Sequence, residues 1–157
     1  MYYTEKEIEI AIEEATRILT EKSKTVKKFT YGYNDCFSFL VEYDKALRKN
    51  KTTKLQKFFS CFGEYKDPKE WLANMKSSGF DDKNDLALHI GYEPAKQKRP
   101  KLGDIACQMI KENVGIFMVA GKTHWVSTCP SNNGIYNTRR ILPYETQLLF
   151  LATPLRS

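Results

Sequence analysis

Cys36 is the residue of this chain best placed to do chemistry. It follows Tyr31-Gly-Tyr-Asn-Asp35 and opens a stretch in which Cys36, Leu40, Tyr43 and Leu47 recur at i, i+4, i+7 and i+11. That spacing predicts a helix with Asn34 or Asp35 as N-cap, running to about Lys49, with the cysteine in its first turn on the buried stripe. Backbone N–H groups and the positive end of the helix dipole converge there, so the thiol is expected to be more acidic than an ordinary cysteine, with Asp35 opposing the shift. A thiolate attacks carbonyl carbon, but hydrolysis also needs a base to take the thiol proton and return it to the leaving group.

Two histidines are available for that second task. His89 stands just before a helix-stopping glycine and reads as a boundary residue. His124 adjoins Trp125 at the start of a strand; it reads as a surface strand residue whose side chain can reach a cleft, and so as the alternative base. Cys61, Cys107 and Cys129 are widely separated and read as reduced, mostly buried thiols. With no C-x-x-C pair and no secretory signal, neither a structural metal nor a disulfide framework nor a cofactor is expected.

The elements that must position these residues divide the chain in two. Thr4-x-x-Glu7 is a capping box, after which Ile8, Ile12, Ala15 and Leu19 keep helical spacing to about Lys22. Beyond the cysteine helix, Leu55, Phe58, Phe59 and Phe62 suggest a short helix stopped by Gly63. Asp67-Pro68-Lys69-Glu70 starts another that ends at Gly79, and Asp82 to Ile90 forms a last one. From Pro100 the period becomes two, with strands expected at Asp104–Ile110, Val114–Val119, His124–Thr128, Ile135–Leu142 and Leu148–Ala152. Gly103-Asp104 is expected to turn into the first of them, with Asp104 bonding nearby backbone. The expected fold is a single α+β domain over residues 1–157: a helix and basic linker (1–28), a helical half with Cys36 (29–92), and an antiparallel sheet of about five strands (100–154).

Bulk composition narrows the class. The chain has 157 residues, 41% apolar and 13% aromatic, which argues against disorder, and no apolar run approaches a membrane span. The net charge of +6 is uneven: Lys45, Arg48, Lys49, Lys51, Lys54 and Lys57 form one basic stretch, and Lys96, Lys98, Arg99 and Lys101 another. Such a surface suits weak contact with nucleic acid, an anionic cell-wall polymer or an acidic protein, or is simply a solvated lysine face. The N-terminus lacks signal-peptide character, so synthesis in a cytoplasm is expected.

The motifs Tyr31-Gly-Tyr-Asn-Asp-Cys36, Asp67-Pro-Lys-Glu-Trp-Leu72, Gly79-Phe80, Gly91-Tyr-Glu93, Arg99-Pro-Lys-Leu-Gly-Asp104, Val114-Gly-Ile-Phe117 and Asn133-Gly-Ile-Tyr136 follow one another in an order and spacing. Over about Phe29 to Pro154, that order resembles small phage and prophage proteins related to the NlpC-type cysteine peptidases. The resemblance implies a papain-like core in which the cysteine helix packs on an antiparallel sheet, with Cys36 as nucleophile. The family's catalytic histidine immediately precedes Val-Gly-Ile; here that position is Asn113, whose amide does not titrate near neutral pH. The third polar position of the family aligns by strand parity with Ser127. The resemblance therefore implies a degenerate, inactive relative: a virion or assembly protein of tail or neck, held among other phage structural proteins in an oligomeric assembly. It would be made in the host cytoplasm and then carried in the virion. The alternative is a working thiol peptidase acting on peptidoglycan stem peptide with Cys36 and a base such as His124.

Overall fold

The computed structural model describes residues 1–26, 28–79, 83–95, 99–111, 114–129, 134–139 and 148–156. Within them the helical half comprises α1 (Glu5–Thr25), α2 (Cys36–Arg48), α3 (Lys54–Phe62), α4 (Pro68–Ser77) and α5 (Lys83–His89). The sheet half comprises β1 (Tyr92–Pro94), β2 (Ile105–Lys111), β3 (Val114–Ala120), β4 (His124–Cys129), β5 (Gly134–Arg139) and β6 (Leu148–Pro154). Every pairing is antiparallel, in the order β1-β6-β2-β3-β4-β5. The class is α+β, helices first and strands after. No described helix is long and apolar enough to cross a membrane.

Two features of the sheet depart from the sequence reading. It has six strands rather than about five, because Tyr92–Pro94, at the end of the expected helical half and before the expected sheet at residue 100, forms a further strand. Three residues carry no readable alternation, and Pro94 is tolerated because β1 is an edge strand whose one partner among the described residues is β6. The meander expected for the whole sheet holds for β2 to β5. The last strand does not extend it but crosses back to lie between β1 and β2, where neighbours on both sides cover a run that is apolar on successive residues.

Local chemistry explains the helices. Thr4 Oγ1 accepts the N–H of Glu7 at 3.2 Å while the Glu7 carboxylate accepts that of Thr4 at 2.7 Å, so both halves of the capping box form. α1 buries Ile8, Ala11, Ala15 and Leu19, and runs three residues past its expected end. Asp67 caps α4 through the N–H of Glu70 at 2.8 Å. α2 is the central helix: it buries Phe37, Phe39 and Val41 as well as Leu40, Tyr43 and Leu47, because α1, α3, β3 and β4 all pack around it. Its Tyr43 hydroxyl donates to the Gly103 carbonyl at 2.9 Å, fixing the turn into β2, and Asp104 there accepts the backbone N–H of Lys101 at 3.0 Å. Gly103 has φ +89°, and a Cβ on it would lie 2.8 Å from Ile8 Cδ1, so only glycine lets α1 lean on that turn.

Arg48 does not belong to the basic surface. Its side chain is 7% exposed; Nε donates to Asp44 Oδ1 at 2.8 Å, Nη1 to the Leu155 carbonyl at 2.7 Å and Nη2 to the Gly91 carbonyl at 2.8 Å. The Tyr92 hydroxyl also donates to Asp44 Oδ1. One planar fork thus ties α2 to both ends of the sheet half, which a point charge cannot do. Lys45 pairs with Glu42 at 3.3 Å, leaving Lys49, Lys51, Lys54 and Lys57 exposed. In the second basic stretch Arg99 and Lys101 are exposed; Lys96 and Lys98 lie outside the described residues.

Candidate functional site

The turn before α2 is pinned by its own side chains. Buried Asn34 accepts the N–H of Thr30 at 2.7 Å through Oδ1 and donates to the Lys28 carbonyl at 3.2 Å. Gly32 turns the chain at φ +80° beside the Tyr65 ring. Asp35, not Asn34, is the N-cap: Oδ1 accepts from Ser38 N at 3.0 Å and Ser38 Oγ at 2.6 Å, and Oδ2 accepts from the Tyr65 hydroxyl at 2.5 Å. The two polar residues before the cysteine are therefore occupied in holding the turn. Tyr65, thirty residues away in sequence, gave no signal of this role.

Cys36 is the first residue of α2, and its sulfur accepts the backbone N–H of Phe117 on β3 at 3.4 Å. The carbonyl of the same Phe117 accepts from Ser127 Oγ on β4 at 2.5 Å. In an antiparallel strand the N–H and C=O of one residue point to the same side, and here that is the side of β4. The β3–β4 register runs through Ala120↔Trp125 and Val119↔Val126 and goes no further. Where the ladder ends, the thiol and the hydroxyl take the two groups of Phe117 that a continued pairing would have used. Cys36 and Ser127 thus meet on one residue of β3, whereas Asn113 lies outside the described residues.

Neither imidazole joins them. His124 is exposed, with Nδ1 2.7 Å from Thr123 Oγ1. The pairing Ala120↔Trp125 sets it opposite residue 121, four residues along from Phe117, or about 13 Å at the rise of a strand. His89 is exposed at the end of α5, its ring edge-on to Phe58 with centroids 6.3 Å apart.

Electrostatics at the thiol reverse the expectation from helix position. Burial pushes the Cys36 thiol well above the ordinary cysteine value, and the Asp35 carboxylate adds to the shift; the N–H of Phe117 opposes both and loses. Cys36 is therefore not an acidic thiol. Burial likewise raises the nearby Tyr31 and Tyr65 hydroxyls, with the charge of Asp35 acting in the same direction on each. Among the described residues no group of three His, Cys, Asp or Glu could hold a metal ion.

Two buried polar atoms in this region went unnoticed in the sequence. Thr128, 3% exposed and next to Ser127, has a hydroxyl with no hydrogen-bond partner among the described residues, and Trp71 Nε1 is sealed from solvent with no acceptor among them. The indole stands among Phe37, Phe62 and Phe117, with ring centroids 5.7, 5.4 and 5.2 Å away. This aromatic wall bounds a cleft of about 300 Å³ between α2–α5 and the sheet, lined by Cys107 and Phe117 but not by Cys36. No protein-family model, curated protein or solved structure gives a significant match to this chain.

Proposed function

We propose that this chain is a non-catalytic assembly protein, a cysteine-helix-on-sheet scaffold retained as a docking module in a phage tail or neck, the setting its motifs resemble. The observation that carries the reading is the state of Cys36: its sulfur serves as acceptor for a strand N–H, its ionisation is disfavoured, and neither imidazole stands beside it. A thiol nucleophile requires the opposite on each count. The exposed Lys49, Lys51, Lys54 and Lys57 supply a surface for acidic faces of other virion proteins, and weak contact with nucleic acid or cell-wall polymer would fall on the same patch. The competing reading, a thiol peptidase with His124 as base, has to close the separation between β4's exposed end and Phe117 before any proton can move.

The test is replacement in the genome that encodes the chain. Cys36→Ser is expected to leave particle yield and infectivity unchanged, because a hydroxyl also accepts the Phe117 N–H. Joint reversal of Lys49, Lys51, Lys54 and Lys57 to glutamate is expected to lower incorporation of the protein into particles. Particles that contain folded Cys36→Ser protein yet lose infectivity would overturn the proposal in favour of the peptidase.

A further inference from the structure

We propose that the cleft between the helical half and the sheet binds a single-chain anionic amphiphile. Its apolar tail would lie among Leu40, Phe58, Trp71, Met75, Leu86 and Phe150, and its head at Lys76. A largely apolar cleft of about 300 Å³, open at one side, is of the size and lining that take small ligands. An engineered apolar cavity of roughly 150 Å³ takes benzene, so this cleft has room for about ten to twelve carbon atoms. That suits a medium-length alkyl chain and is too little for a partner helix, which would need a groove several turns long.

One polar feature gives the ligand a direction. Lys76 is the one charged residue of the lining; it is exposed on the last turn of α4 and has no carboxylate partner among the described residues. It stands one helical turn beyond Leu72, so its methylene stem can cover the apolar wall while the ammonium faces water at the rim. Trp71 also lines the cleft, so its indole ring reports on what the cleft holds. The inference does not depend on Cys36 and stands or falls apart from the assembly reading.

The chain has two tryptophans, and Trp125 packs with Ala106, Met118 and Ala120 away from the cleft, so Trp125→Phe leaves Trp71 as the sole indole reporter. Decanoate added below its micelle concentration is expected to change Trp71 emission saturably, and calorimetry on the unmodified protein should give the same affinity. Lys76→Glu should weaken decanoate about tenfold, the size of one charge-assisted contact, while leaving decanol unaffected. Leu86→Phe, which fills the cleft at a half-buried position, should abolish binding while cooperative unfolding is kept. Absence of saturable decanoate binding to the unmodified protein, unchanged affinity in Leu86→Phe, or decanol binding as tightly as decanoate would each overturn the proposal. Saturable binding of a Leu/Phe-rich decapeptide in place of decanoate would do so too, by assigning the cleft to a protein.

Discussion

At the scale of single residues, Cys36 shows two effects of unequal size in competition. A helix N-terminus favours an anion by only about 0.3–1 kcal/mol, and desolvation of the half-buried thiol together with the Asp35 charge acts the other way. The net shift is upward, and the sulfur accepts a hydrogen bond from the Phe117 N–H. If so, the N–H of Phe117 is what Cys36 serves. Cys36→Ala leaves that donor unpaired at a cost of about 1–3 kcal/mol, and Cys36→Ser should lose less; urea unfolding of the pair measures the difference. Tyr65 makes a second residue-scale case. Tyr65→Phe removes a donor from the Asp35 carboxylate and should cost about 1.5–3 kcal/mol. The folded Tyr65 hydroxyl titrates above its ordinary value of 10.0, so its contribution is complete below pH 10 and is lost as the pH rises beyond it. Unfolding midpoints followed into alkali should therefore fall less steeply for Tyr65→Phe, though buried Tyr43 and Tyr92, shifted in the same direction, keep some slope in both proteins.

At the scale of elements, what could be read from the sequence was whatever a few neighbouring residues decide. The Thr4–Glu7 box, the Asp67-Pro68 start and the Asp35 cap are local hydrogen-bond chemistry, and each forms. β1 and the return of β6 between β1 and β2 depend on pairing across some sixty residues, as in Tyr92↔Pro154, and no local pattern encodes them. Arg48 was read as surface charge because its partners, the Gly91 and Leu155 carbonyls, are distant in sequence. Arg48→Met would strand the fully buried Asp44 carboxylate, whose Oδ2 already lacks a partner, and should cost about 3–5 kcal/mol; Arg48→Lys should recover part of it. The N-terminal helix is tied to the chain's last residues by Glu7 and Arg156. The hydrogen bond from Arg156 and that from the Thr4 backbone lower the Glu7 carboxyl from 4.5 to about 2. Its stabilising contribution is thus complete above pH 4.5 and lost as the pH falls towards 2, and Glu7→Gln should remove that part of the acid slope.

At the scale of the whole molecule, the sequence located the cysteine helix and the strand it meets, but not how the two are used. The end of the β3–β4 ladder at Val119↔Val126, the convergence of Cys36 and Ser127 on Phe117, and the apolar cleft arise only once helices and sheet are packed together. The proposed role as a docking module rather than a catalyst draws on that packing, in which the thiol is tied to Phe117 and is absent from the lining of the cleft. The claim rests most directly on the ionisation of Cys36. Alkylation rate against pH, resolved by peptide mass spectrometry so that Cys61, Cys107 and Cys129 are read separately, measures it in the unmodified protein. The expected profile for Cys36 has no inflection below 9.0, the value of an unperturbed thiol here. An inflection below about pH 7, in the range of activated cysteines, would contradict the account.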